Sequence, residues 1–179
     1  MKESQGVEQL SEHKTVRWEN LPDLPLYMDQ VVTYLERQLE LFQSVQSEKL
    51  VTASMINNYV KSKLIPRPEK KKYTREHLSR LLMVCTLKQV LPIQQVDLLV
   101  KHCAKDGEAH MLSEFGELQD HALAKAAEQY RQIAQSGQDL QHTALQLVLE
   151  INAQRLVAQM LLAQIAAEPE ISTGAPKEG

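Results

Sequence analysis

Ser54, Asn57, Asn58 and Lys61 stand three to four positions apart, so on a helix they can share one face. Short amides and hydroxyls at that spacing suit the reading of base edges. An Asn amide both donates and accepts, and can bridge the N6/N7 edge of adenine in a major groove. Around them stand Lys63, Arg67, Lys70, Lys71, Lys72 and Arg75. Such cations would hold phosphates, which fix orientation but carry no sequence information. These ten residues form the expected DNA-binding set.

Charge supports that chemistry. Lys49 to Lys105 holds twelve Lys/Arg against three Asp/Glu, whereas the other residues hold eight basic and twenty acidic groups. A net charge of −3 thus conceals a basic block inside an acidic chain, the pattern of a module that meets phosphates. Each feature also has a plainer reading. Lys70–Lys72 would be solvated surface in most proteins, and Asn57 and Asn58 could simply solvate a helix. Tyr59 and Tyr73 read better as packing residues than as base-stacking groups, and His77 has no assigned role.

Other chemistries find little support. The sequence has no glycine-rich phosphate loop, HExxH or Gly-x-Ser-x-Gly, and its six histidines include no i, i+4 pair, so an enzyme is not expected. Cys85 and Cys103 form no CxxC and read as buried free thiols. His102 and Cys103 are neighbours, but adjacent helix positions point about 100° apart, so no metal or other cofactor is assigned.

The elements that must position these residues are helical. Aromatics make up 4% of the chain and glycines number six, which favours an all-α fold packed through Leu, Val, Ile and Ala. Residues 1–20 read as a flexible arm with Trp18 as a possible anchor. After "LPDLP", Met28, Val31, Val32, Leu35, Leu39 and Phe42 predict a helix over 26–42, and "QSVQSEK" interrupts it. A short helix should start near Thr52 or Ser54, with Ile56, Tyr59 and Val60 inward. Pro66 and Pro68 make 64–73 an extended turn.

A helix from Thr74 should bury Leu78, Leu81, Leu82, Val84 and Cys85. Another, over 92–104, should bury Val96, Leu99, Val100 and Cys103. Gly107 then supplies a positive-φ stop. Two proline-free segments, 109–134 and 139–167, predict a long helical hairpin whose wide apolar stripe joins two copies of the chain. The expected domains are thus the arm at 1–20, a head at 21–107, the hairpin at 108–167 and a disordered tail at 168–179.

The stretch "VTASMINNYVKSKLIPRPEKKKYTREHLSRLLMVCTLKQVLPIQQVDLLV" resembles the winged helix-turn-helix head of MerR-type transcription regulators. The likeness rests on the threonine-led helix, its central Tyr, the Leu-Ile-Pro exit, the Tyr before the next helix, and "LPIQQV". It departs from that pattern at Lys63, where such regulators usually carry Gly, and in a short wing lacking Gly-Tyr-Arg. More closely, "MINNYVKSKLIPRPEKKKYTREHL" resembles an uncharacterised bacterial family, mostly from Firmicutes, known only as a domain of unknown function. That likeness covers roughly 21–125. The first resemblance implies a MerR-like winged head that binds double-stranded DNA; the second implies no established activity.

The leading expectation is therefore a cytoplasmic, homodimeric transcription regulator. No apolar run in the chain approaches the length of a membrane span. One alternative is a protein-interaction adaptor that uses a helix-turn-helix shape without DNA. A further one adds a ligand pocket in the helical tail, lined by Met111, Tyr130 and Met160.

Overall fold

Residues 75–87 carry apolar side chains on nearly every side, so the helix they form has to be surrounded. The structure, a computed structural model, describes residues 2–43 and 49–167 and places that helix at the centre. The order is α1 (Lys2–Glu12), α2 (Met28–Gln38), α3 (Glu40–Gln43), α4 (Ala53–Lys61), α5 (Arg75–Leu87), α6 (Ile93–Cys103), α7 (Glu108–Ser136) and α8 (Leu140–Ala167). The described residues are all-α, with two isolated β-bridges and no strand.

Leu78, Leu81, Leu82, Met83, Val84 and Cys85 of α5 are all buried, and α2, α6 and α7 pack round them. Val31 and Leu35 from α2, Ile56 from α4, Val96 and Val100 from α6, and Met111 and Leu112 from α7 complete one core. The predicted inward residues of α5 are all there. Among those of α6, Leu99 and Cys103 are only half-buried.

The helix predicted over 26–42 is shorter at its start and broken near its end. Pro25 keeps the chain extended, and Leu26 pairs with Tyr73 through two backbone hydrogen bonds of 2.9 and 2.8 Å. Leu39, buried at 3% exposure, ends α2, and α3 follows at a new angle. Most of the predicted interruption, 44–48, lies outside the described residues, as does the predicted tail at 168–179.

Residues 1–20 are not a loose arm. They form α1 and a short 3₁₀ turn at Trp18–Asn20, and α1 lies along α7. Only Val7 and Leu10 carry its apolar stripe, too few to reveal a helix by periodicity. Val7, Leu123 and Ala127 are buried outside the main core, which marks this second seam. Asp120 fastens it by accepting the Thr15 N–H at 2.8 Å and pairing with Arg17 at 2.8 Å. Gly116 makes room for that arginine, because a Cβ there would lie 1.9 Å from Arg17 Nη1.

The predicted hairpin is also revised. Gly137, at φ 67°, turns the chain after α7, but α8 does not lie along α7. Its C-terminal end packs on α6 instead, with Leu162 buried and Gln159 Nε2 donating to Gln95 Oε1 at 3.3 Å. α7 instead carries α1 and α5 against it.

Candidate nucleic-acid interface

α4 is held at both ends and along one side. Thr52 Oγ1 accepts the Met55 N–H at 3.2 Å, satisfying one of the unpaired donors of the first turn. Ile56 is fully buried, and Tyr59 and Val60 are half-buried against the core. Burial, with the Cys85 thiol beside it, pushes the Tyr59 hydroxyl up to about 12, so this ring is a neutral packing group. Ser54, Asn57, Asn58 and Lys61 remain on the exposed side.

The C-terminal end of α4 closes in a Schellman motif. Leu64 N–H donates to Tyr59 O at 3.0 Å and Lys63 N–H to Val60 O at 3.1 Å. That motif needs a left-handed residue after the cap, a place glycine usually fills. Here it is Lys63, at φ 62°.

The extended turn beyond it closes just as tightly. Lys72 N–H donates to Glu69 O at 2.8 Å, with Lys70 at φ 47° and Lys71 at φ 62° between them. Two positive φ values in sequence are the signature of a type I′ turn, whose preferred residues are Asn and Gly. Among the described non-glycine residues, Lys63, Lys70 and Lys71 alone have positive φ. Each therefore holds a strained backbone while presenting an exposed ammonium group.

Below this turn, Tyr73 and His77 meet edge to face with centroids 5.5 Å apart. The Thr74 N–H donates to His77 Nδ1 at 3.0 Å, which puts the neutral ring's proton on Nε2. Burial, opposed by Glu76 and aided by Arg80, holds the His77 pKa below its usual value. Sequence reasoning gave this histidine no role, yet it begins α5 and supports the turn that carries the lysines. A His three residues after a Thr cap was the available signal.

Two adjoining depressions, of about 590 and 580 Å³, share Asn57, Val60 and Arg67. The first adds Lys61 and Lys63; the second adds Lys70 and Lys71. Six of the ten expected residues thus line these two adjoining depressions: Asn57, Lys61, Lys63, Arg67, Lys70 and Lys71. Ser54 and Asn58 are exposed on α4 but line neither depression. Lys72 lies 5.4 Å from the Tyr27 ring centroid, and Arg75 Nε donates to Pro22 O at 3.3 Å, so both are partly engaged elsewhere.

The cations of the two depressions have no carboxylate partners among the described residues. The ion pairs there join Arg17 to Asp120, Lys49 to Glu36, Arg80 to Glu108, Lys101 to Asp97 and Arg131 to Glu128. Positive potential is therefore left unneutralised over a concave surface that also holds an Asn amide.

Of the three residues expected to line a tail pocket, Met111 is buried and borders an apolar depression of about 290 Å³ with Met83, Leu99, Phe115 and Leu118, whereas Tyr130 and Met160 are exposed and do not line it. Cys85 is a free thiol, fully buried and pushed up to about 11 by that burial; Cys103 is only half-buried, a correction to its expected place. No group of His, Cys, Asp and Glu among the described residues is arranged to hold a metal ion. No helix among them is long and apolar enough to cross a membrane.

The family model described as Domain of unknown function (DUF1836) matches residues 16–118. That span runs from Val16 through α4, the lysine turn and α5 to the first third of α7, and leaves out α8. No curated protein and no solved structure matches the chain.

Proposed function

The chain belongs to the DUF1836 family, and from that premise we propose that it is a homodimeric transcription regulator that reads duplex DNA with α4. In this reading the head is a MerR-like winged helix-turn-helix. α4 enters the major groove, and the tight turn at 69–72 serves as a minimal wing beside it. Asn57 is the residue best placed to reach a base edge. Lys61, Lys63, Arg67, Lys70 and Lys71 surround it as phosphate contacts.

One observation carries the proposal: three lysines occupy backbone conformations that favour glycine or asparagine, all on one basic surface. A left-handed L-residue costs roughly 1–2 kcal/mol. Strain of this kind persists where it serves function, and here the group retained against it is a positive charge.

The test is selection of duplexes from a random pool, followed by fluorescence anisotropy across a salt series. The expected result is an enriched inverted repeat, bound with an affinity that falls steeply with salt. Asn57→Ala should reduce discrimination at one base position by about 1–3 kcal/mol while leaving the melting temperature nearly unchanged. If no sequence is enriched and binding vanishes at physiological salt, the proposal fails. A protein partner whose binding ignores Asn57→Ala would then support the adaptor alternative.

A further inference from the structure

α8 has an apolar surface that the other described residues do not cover. No residue from Leu140 to Val157 is buried, although Leu, Val and Ile dominate that stretch. Leu145, Leu149, Leu156 and Met160 are 58, 60, 51 and 65% exposed. At about 100° per residue, these four and Asn152 fall within a strip roughly 80° wide along the helix. Leu162 and Ile165, which face the core, lie about 120–180° round from that strip. Contact with α6 therefore leaves it free.

The strip has a symmetry of its own. Outward from the Asn152–Ala153 peptide bond, five positions mirror one another, Leu149 with Leu156, Val148 with Val157, Gln146 with Gln159, Leu145 with Met160, and Gln141 with Gln164, whereas the positions between them, such as Ile151 and Gln154 or Leu147 and Ala158, do not. The only Lys, Arg, Asp or Glu residues on α8, Glu150 and Arg155, also occupy mirror positions. A two-fold axis perpendicular to an antiparallel helix pair brings each residue level with its mirror position on the other copy. A parallel pair brings each residue level with itself and requires no such relation.

We infer that α8 is a self-recognition helix: it pairs antiparallel with α8 of a second copy of this chain, with the two-fold axis at Asn152–Ala153. Leu149 then packs on Leu156 of the partner subunit, and Leu145 on Met160 of the partner subunit. Asn152 meets its own symmetry mate near the axis, a placement in which a single polar residue fixes register. Glu150 and Arg155 lie about 110° to either side of the strip, so pairing buries no charge.

The area is sufficient. The strip from Leu145 to Met160 is about 22 Å long, and its four large side chains, each more than half exposed, together with the flanking Val148 and Val157 present roughly 500 Å². Two copies together bury about 1,000 Å², the lower bound for a specific interface. The pairing deepens the regulator reading by naming its dimer surface, and the α8 residues that face α6 and the core, Gln159 to Ile165, fall about 20–38 Å from their mates along the pair. Half-sites on one face of DNA are separated by about 34–36 Å.

The test uses the full chain and no nucleic acid, so it can fail independently of DNA binding. Sedimentation should give twice the 20.4 kDa chain mass at micromolar concentration. In a Cys103→Ala background, Leu145→Cys and Met160→Cys chains are co-expressed and mildly oxidised. A disulfide should join the two different chains. Leu145→Cys alone should not cross-link, because its two copies lie about 22 Å apart, far beyond the ~7 Å Cα limit for a disulfide. A monomeric mass, efficient self-linking of Leu145→Cys, or a dimer lacking the mixed link would each overturn the inference.

Discussion

Replacing Lys70 and Lys71 by Asn and Gly should make the protein more stable and a weaker DNA binder. At φ 47° and 62°, the two lysines sit where L-residues lose roughly 1–2 kcal/mol each. Asn-Gly is the preferred pair for this turn, but glycine returns about 0.5–1 kcal/mol through its larger unfolded-state entropy. The net gain is therefore about 1–3 kcal/mol, or some 2–12 °C in melting temperature for a chain of this size. Over the same change, two lost phosphate contacts should flatten the plot of log affinity against log salt by about 1.8 units. Lys61→Ala is the control, since Lys61 lies on a regular helix: it should flatten the slope without a comparable rise in stability. Scanning calorimetry and anisotropy read the two effects. A lower or unchanged melting temperature would refute the strain argument, and an unchanged slope would refute the phosphate contacts.

Gly116→Ala should displace the Arg17 guanidinium from Asp120. The lost pair is offset by the roughly 1 kcal/mol that Ala gains over Gly inside α7, so the urea midpoint should stay nearly unchanged while Thr15–Arg17 exchange faster. Thr52→Ala should cost about 1 kcal/mol and increase hydrogen exchange in the first turn of α4. His77, held neutral chiefly by burial, has a folded-state pKa below its unfolded value of 6.5. The unfolded chain therefore binds the proton more readily, and stability should fall as pH drops from about 6.5 through the lowered folded value. His77→Gln should flatten that part of a pH–stability curve. His13 leaves a residual slope of the same sign, because burial lowers its pKa as well.

Much of the head was legible in the sequence because the signals involved are local. The stripes of α2 and α5, the caps at Thr52 and Thr74, and the stop at Gly107 each depend on residues within a few positions of one another. The candidate surface was legible for the same reason: Ser54, Asn57, Asn58 and Lys61 follow helical spacing, and Arg67, Lys70 and Lys71 stand beside the two prolines. What could not be read was which cations line the two depressions. That depended on the pairing of Leu26 with Tyr73, 47 positions away, and on backbone angles that lysine does not favour by itself.

The outer helices were decided by tertiary structure alone. α1 has two apolar residues to define its inner face, and its site is set by Asp120, 105 positions from Thr15. α8 has apolar residues on so many sides that periodicity could not choose its neighbour. For α7 and α8, length and helical character followed from the sequence, because each turn of a helix is stabilised by its own residues. Which helix lies against which depends on complementary apolar surfaces meeting across the chain, and α7 carries α1 and α5 against it.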